Sequence, residues 1–292
     1  LDDPAERRAY LTWVFVGAGY AGLEGMAELQ DFVADMLVRY PRCRLEGTRW
    51  LLVEARERVM PEIPEGLATF ASRDLEGRGI EIHTNTTLRS MDERSATLST
   101  GERVPTRTLC WTAGVKPAPV VRELGLPLDR GGRIEVDDTM RVNGRRNVWA
   151  IGDAAAVPDP AKRRRSPCPP TCQHALRQGK VVAENVGREL RGRGPRRFRY
   201  RTLGVFVDMG RHKAVATMFG LRIRGFPAWF AARTYHMAMM PGPGRRLRLV
   251  VDWTVGLFFG RASAELGQLG HPPPLTSLLE PALRAPSEHG ER

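Results

Sequence analysis

Apolar positions along the chain follow two periods in alternation. Residues 11–17, Leu-Thr-Trp-Val-Phe-Val-Gly, form a short apolar run that reads as a strand. From 22 to 38 the period changes: Leu23, Ala27, Phe32, Val33 and Leu37 recur at helical spacing, and Pro41 closes the helix. Trp50-Leu-Leu-Val-Glu54 is a second apolar strand ending in an acid. Leu67 to Leu75 read as a helix stopped by Gly77 and Gly79, and Ile80-Glu-Ile-His83 begins a third strand. This β-α-β-α-β order argues for a parallel sheet with crossover helices.

Residues 86–111 alternate short strands with turn signals at Thr100-Gly101 and Pro105, and end at Leu109-Cys-Trp-Thr-Ala-Gly114. After Lys116-Pro117 come loops, a Gly131-Gly132 turn and a further strand, Val148-Trp-Ala-Ile-Gly-Asp-Ala-Ala155, that ends at an acidic turn. Residues 172–190 read as a helix. Beyond residue 200 tryptophan, phenylalanine and methionine rise, interrupted by glycine and proline; from His271 the tail is proline-rich and polar and reads as disordered. No internal repeat is visible.

The Gly17-x-Gly19-x-x-Gly22 spacing has a mechanical reason. The first glycine makes the tight turn, the second lets backbone approach a pyrophosphate, and the third packs the helix closely. The helix N-terminus then offers free N–H groups to the phosphates. Alone the pattern is weak, but here it follows a strand, opens a helix and has Glu54 at the end of the next strand. That carboxylate is placed for ribose hydroxyls and would repel a 2′-phosphate, which favours NADH; Arg56 and Arg58 nearby leave NADPH open. Gly152-Asp153 at a strand end can present a carboxylate to a polyol hydroxyl.

With 292 residues the chain can hold two domains and bury substantial cores. Its 45 Lys and Arg against 33 Asp and Glu give a formal net charge of +12, with arginine clustered in Lys162-Arg-Arg-Arg165 and from Arg191 to Arg201. Such clusters suit a solvated loop face or an anionic membrane surface. No nucleic-acid motif accompanies them, and only Phe198 and Tyr200 interleave them, so no nucleic-acid partner is expected. Cys43, Cys110, Cys168 and Cys172 lack framework spacing, so reduced thiols are the expectation, and Cys168 and Cys172 do not read as a redox pair. No metal-ligand set or Ser-His-Asp constellation is visible; His212, His236 and His271 are scattered. The chain opens at Leu1 in a polar stretch, with no secretory signal, as a fragment or a processed start would. Residues 227–259 carry aromatic and apolar side chains broken by Arg248 and Asp252. The run is too short to span a bilayer but suits an interfacial helix beside Arg245 and Arg246; packing on the protein's own core or in a homodimer is the alternative.

In Val16-Gly-Ala-Gly-Tyr-Ala-Gly-Leu-Glu24, Leu109 to Val115, Gly132-Arg-Ile-Glu-Val-Asp137, Asn147 to Ala155 and Pro169-Pro-Thr-Cys-Gln-His-Ala-Leu-Arg-Gln-Gly179, the chain resembles type II NADH dehydrogenases. These are single-subunit, non-proton-pumping NADH:quinone oxidoreductases. The resemblance covers roughly residues 5–265, and Pro169 to Gly179 is its most diagnostic part. It implies an α/β, two-dinucleotide-binding (Rossmann-like) flavoprotein fold. Residues 1–115 would be the NADH-binding domain and 116–200 the C-terminal part of an FAD-binding domain. Residues 201–270 would be a membrane- and quinone-associated region, α-rich or mixed, and 271–292 the tail.

The resemblance also implies roles. Gly17, Gly19 and Gly22 would cradle the NADH pyrophosphate with Glu54 on the ribose, and Ala113 and Gly114 would line the nicotinamide path. Gly152 and Asp153 would meet the FAD ribityl chain, and Cys172 and Gln173 the flavin and quinone. Glu24 and Gln173 are the candidate catalytic residues, for orienting NADH or handling protons. The family's Ala-Gln-x-Ala-x-Gln pattern appears as Cys172-Gln173-His174-Ala175-Leu176-Arg177, so Arg177 replaces its second glutamine, although Gln178 follows. The family's first glycine-rich turn, for the ADP part of FAD, is not seen before residue 11, so the chain reads as N-terminally incomplete and is expected to bind FAD weakly or not at all. The implied protein passes electrons from NADH through FAD to a membrane quinone, as a peripheral protein on the cytoplasmic face of the cell membrane. The alternatives are a soluble flavoprotein reductase with another acceptor, or a non-catalytic NADH-binding fragment.

Overall fold

The computed structural model of the protein describes residues 3–162, 166–202 and 204–259. The tail from His271 and residues 163–165 of the Lys162–Arg165 cluster lie outside the described residues. Asp3 caps helix α1 (Pro4–Tyr10), whose first turn starts with the proline favoured there. Strand β1 (Thr12–Val16) then runs into the glycine turn and helix α2 (Tyr20–Leu37). Helix α3 (Pro41–Glu46) begins at the proline that ends α2 and leads to β2 (Arg49–Val53), helix α4 (Glu65–Gly77) and β3 (Ile80–His83). An antiparallel meander of β4 (Leu88–Met91), β5 (Ser95–Leu98) and β6 (Arg103–Pro105) follows, and β7 (Thr108–Trp111) re-enters the first sheet. The sheet is four-stranded and parallel, in the order β3-β2-β1-β7.

Alternation along the strands buries both sheet faces. Phe15, Trp50 and Leu52 pack with Leu23, Met26 and Ala27 of α2 and Leu67, Ala71 and Leu75 of α4. Val14, Val16, Leu51 and Val53 face Ala96, Leu98 and Val104 of the meander. The crossovers β1 to β2 and β2 to β3 therefore cover one face, and the crossover from β3 to β7 covers the other. Winding reverses between β1 and β7, the kind of crevice where open α/β sheets bind ligands, and the glycine turn leaves β1 at that point.

Residues 116–200 have less regular structure. Helix α5 (Val120–Glu123), the short β8 (Ile134–Glu135) paired in parallel with β9 (Ala155–Ala156), and the long helix α6 (Cys172–Glu189) enclose a core of Val121, Val136, Met140, Val142 and Phe198. The strand expected to end at Gly152 is instead an extended stretch with one antiparallel bridge, Trp149 to Arg141, and the ladder forms after the turn. Among the described residues, 148–151 have no neighbouring strand with which to form a longer ladder.

The aromatic region after residue 200 contains a second antiparallel meander, β10 (Gly204–Asp208), β11 (Ala214–Met218) and β12 (Leu221–Gly225), followed by helix α7 (Phe226–Met239). Val205, Val207 and Val215 on one face join the core beneath α2 and α4. Phe206, Ala214, Ala216 and Ile223 on the other pack with Ala228 and Trp229 of α7. Arg78 ties the β10–β11 turn to α2 by donating to the Met209 carbonyl at 2.7 Å and to the Ala27 carbonyl and Asp31 at 2.8 Å. Residues from Gly242 form a separate unit. Its helix α8 (Pro243–Phe258) has no buried residue, and it exposes Leu247, Val250, Val251 and Phe258 alongside Arg245, Arg246 and Arg248. No helix among the described residues is long and apolar enough to cross a membrane.

Candidate functional site

The three glycines of the first turn do different jobs. Gly17 has φ +102°, and a Cβ there would lie 2.8 Å from the backbone of Ala113. At Gly22 a Cβ would sit 1.8 Å from the Gly17 carbonyl and 2.6 Å from the Thr112 hydroxyl, so this glycine packs against the turn itself. A Cβ on Gly19 would meet nothing within 4 Å. That is the open position, and it starts a helix with no side-chain cap. Amides at an uncapped helix start beside open space suit a pyrophosphate.

The turn is held from three sides. Gly17 N–H donates to the Val53 carbonyl at 2.8 Å and Met60 N–H to the Ala18 carbonyl at 2.9 Å. The Thr112 hydroxyl lies 2.9 Å from the Val16 carbonyl and 2.8 Å from that of Gly17. Glu54 is only 8% exposed; it accepts from Ala18 N–H at 2.7 Å and from Arg56 N–H at 3.0 Å. The acid expected on a ribose thus also clamps the glycine turn, and its remaining lone pairs border the cleft. Arg56 pairs with Glu62, and the Arg58 guanidinium donates to the Met60, Pro61 and Ile63 carbonyls, so Arg58 is a loop brace. The cleft measures about 310 Å³ and brings Gly17, Gly19, Glu54, Ala113 and Gly114 together.

The second group of candidates gathers at the start of α6. Thr171 caps the helix by accepting from His174 N–H, and its hydroxyl lies 2.8 Å from His174 Nδ1. His174 is buried, which lowers its pKa and keeps the ring neutral. Gly152 turns with φ +65°, and its N–H donates to the fully buried Gln178 at 2.8 Å, which leaves Asp153 exposed at the turn. Gln178 therefore supports the Gly152 turn, while Arg177 lies over the Tyr200 ring at 4.3 Å and donates to the Gln173 carbonyl at 3.0 Å. Tyr200 donates to Gln173 Oε1 at 2.9 Å. Cys172 is exposed, and Cys43, Cys110, Cys168 and Cys172 are all free thiols.

Strand β10 connects the two candidate catalytic residues. Asp208 N–H donates to Glu24 Oε1 at 3.0 Å at one end, and Gln173 Nε2 lies 3.5 Å from the Gly204 carbonyl at the other. The strand steps between those anchors span about 13 Å. Burial raises the Glu24 carboxyl pKa against the lowering effect of the Asp208 amide, and burial followed by the Glu28 charge raises that of Asp208. A carboxyl whose folded pKa lies above its unfolded value holds its proton longer in the folded state. Stability therefore falls as pH rises from the ordinary carboxylate range through the folded value. Glu24→Gln keeps an acceptor for the Asp208 N–H and removes the buried charge. Thermal melts should show the variant above the wild type at about pH 7 and level with it at about pH 4; an equal offset at both would refute the assignment.

Thr112, Gln178, Tyr200 and Asp208 were not assigned roles from sequence. Thr112 stands beside two assigned residues, and its signal was a small hydroxyl at the end of a strand facing a glycine turn. Asp208 closes the alternating run Val205, Val207 just before Gly210, a strand end legible only once the strand is known.

Comparisons with known proteins bear on the family and the fold. The profile of the pyridine nucleotide-disulphide oxidoreductase family matches residues 3–179. The chain is 29% identical over 276 residues to the mitochondrial internal alternative NAD(P)H-ubiquinone oxidoreductase A1 of Arabidopsis thaliana, covering 88% of this chain and 53% of that protein. It is 28% identical over 266 residues to the type II NADH:quinone oxidoreductase Ndh of Mycobacterium tuberculosis (87% and 56%). It is 31% identical over 217 residues to the Staphylococcus aureus type II NADH:quinone oxidoreductase (73% and 53%). The chain spans about half the length of these curated relatives. Its fold matches that of NDH2 from Plasmodium falciparum, solved in complex with NADH, with a TM-score of 0.78 and 16% identity over 90% of this chain and 69% of that one. The family match from residue 3 to 179 takes in the glycine turn at the sheet's switch point and more than half of the chain, and makes this chain a member of the pyridine nucleotide-disulphide oxidoreductase family.

Proposed function

We propose that the whole protein to which this chain belongs is an FAD-dependent oxidoreductase that takes a hydride from NADH and delivers electrons to a membrane quinone. The observation that carries this reading is β10, which joins Glu24, one turn into the helix that follows the glycine turn, to Gln173 at the head of α6. A nucleotide-side acid and an acceptor-side amide thereby share one rigid element. The names of the relatives support NADH and quinone as the two substrates.

In this reading the α2 amides around Gly19 hold the NADH pyrophosphate and Glu54 accepts from the ribose hydroxyls. Ala113 and Gly114 border the nicotinamide path. FAD, when bound, supplies the hydride acceptor and the route for electrons onward. The chain's residues that fit it are Gly152, with its turn fixed by Gln178, and the exposed Asp153, free to accept from ribityl hydroxyls. Glu24, held toward its protonated form by burial, orients the nicotinamide side or hands on a proton. Gln173, with its oxygen taken by Tyr200 and one amide N–H directed at the Gly204 carbonyl, keeps its second N–H for a quinone carbonyl or the flavin edge. Arg177, turned onto Tyr200, positions that amide in place of the family's second glutamine. The exposed apolar side chains and arginines of α8 suit the interfacial layer of an anionic membrane, at the cytoplasmic face.

The test is the visible spectrum of the purified whole protein with FAD, then with NADH under anaerobic conditions, then with a short-chain quinone. Flavin bands that bleach with NADH and return with quinone are expected. A protein that binds NADH but never gains or bleaches flavin bands would overturn the oxidoreductase reading and leave an NADH-binding module.

A further inference from the structure

A second groove, sharing no residue with the dinucleotide cleft, lies between α4 and β12. Its volume is about 590 Å³. One wall is a single face of α4: Gly66, Phe70 and Arg73 follow at helical spacing, about 10 Å end to end. The other wall is β12, the free edge of its sheet, through Arg222 and Arg224. Arg222 pairs with Thr217 and Arg224 with Val215, so both lie on the sheet face that packs toward α4.

Three arginines thus line one groove, with Glu65 as its one lining acid. Elsewhere this surface answers its cations: Lys213 pairs with Asp74, Arg56 with Glu62 and Arg49 with Glu81. Among the described residues, Arg73 and Arg222 have no ion-pair partner. Arg224 is fixed over the Phe70 ring, 5.1 Å from its centroid, which pre-orients its fork. No side chain caps the start of α4 beside this groove.

We propose that this groove is an anion-binding site for a phosphate group. Charge balance favours phosphate over carboxylate. Three arginines and one glutamate leave a net charge of +2. A carboxylate would answer only half of that, whereas a phosphomonoester carries about −1.5 to −2 near neutral pH and has oxygens for several guanidinium forks. The phosphate can belong to a soluble metabolite or to a phospholipid headgroup. In the second case Phe219 and Leu221, exposed at the tip of the β11–β12 hairpin, would enter the interfacial layer beside it.

The experiment uses the full chain and two probes. Inorganic pyrophosphate is titrated by calorimetry with saturating NADH present to fill the cleft around Gly19, and vesicles of phosphatidylcholine with and without phosphatidic acid are tested by co-sedimentation. Arg222→Gln with Arg224→Gln alters one wall, and Arg73→Gln the other; melting curves establish that each variant is folded, and if the double variant is not, Arg73→Gln decides. The expected result is binding by the wild type that weakens about ten-fold in the variants, the loss of one charge-assisted hydrogen bond or more. A loss seen with pyrophosphate supports a soluble phosphate ligand, and a loss confined to phosphatidic acid vesicles supports a headgroup. No binding of either probe by the wild type, or binding within two-fold of it in folded variants, overturns the site.

Discussion

Gly22→Ala should melt well below the wild type and lose dinucleotide binding, whereas Gly19→Ala should melt normally and lose binding alone. At Gly22 the new methyl would sit 1.8 Å from the Gly17 carbonyl and 2.6 Å from the Thr112 hydroxyl that lies within hydrogen-bonding distance of it. The obstacle is backbone at the β1–β7 switch point, where Gly17 is itself within 2.9 Å of the Thr112 carbonyl carbon for any added Cβ. Neither side can yield without displacing β7 or the start of α2. Overpacking of this kind costs about 3 kcal/mol or more, a fall of roughly 6–10 °C in a domain of this size. Gly19 has φ −75° and open space around it, so alanine there fits the backbone. Its methyl would stand where phosphate oxygens must approach, and NADH affinity should drop at least about ten-fold. Calorimetric titration and melting curves on both variants decide the matter. A Gly22→Ala protein that melts like the wild type, or a Gly19→Ala protein that binds NADH like it, would refute this division of labour.

The same turn shows what could be read from the sequence. The apolar runs at 11–17 and 50–53, the helical period from 22 to 38 and the stops at Pro41, Gly77 and Gly79 appear as β1, β2, α2 and α4, displaced by a residue or two. These elements are legible because each is long or strongly periodic and is buried within its own β-α-β crossover unit. The α6 helix is equally clear between 172 and 189. The strands from 204 to 225 were not legible. Their alternation mixes valine with alanine, threonine and arginine, because the sheet is covered on one side by α2 and α4 and on the other by α7. A short strand with small residues on one face and partly solvated arginines at its edge has no distinctive period. The core contribution of Val207 and Met209 to the α2–α4 cluster depends on contacts across more than 130 residues, which local pattern cannot carry.

Site residues divide along the same line. Gly17, Gly19 and Glu54 are specified locally by a strand end and a turn, and Ala113 and Gly114 are implied by the family resemblance; one cleft gathers all five. Tyr200 and Asp208 act on Gln173 and Glu24 from elements distant in sequence. Gln178 illustrates the difference within one motif. It directly follows Arg177, which stands in place of the family's second glutamine, but a helix turns about 100° per residue, so the two adjacent side chains point apart. Gln178 enters the core under Gly152, and Arg177 reaches Tyr200.

Glu54→Ala is the second large effect expected, and its interest lies in two readouts that should separate. The carboxylate accepts from Ala18 N–H at 2.7 Å and Arg56 N–H at 3.0 Å in a nearly buried position. Hydrogen bonds to a charged acceptor contribute about 1.5–3 kcal/mol each, and the donors left behind are poorly placed for water, so alanine should cost on the order of 3 kcal/mol. Glu54→Gln retains one acceptor oxygen of the right reach and should recover about half of that loss. Its amide nitrogen must face one of the two donors, so recovery cannot be complete. Nucleotide preference should behave differently. If the free lone pairs take the ribose hydroxyls, the negative charge is what repels a 2′-phosphate, and Glu54→Gln should narrow the preference for NADH over NADPH as fully as alanine does. Stability would then order as wild type, glutamine, alanine, while preference would fall in one step at the loss of charge. Melting curves combined with titrations of NADH and NADPH test both orders. A glutamine variant with wild-type discrimination would show that Glu54 only clamps the glycine turn, and that the ribose is read by another group in the cleft.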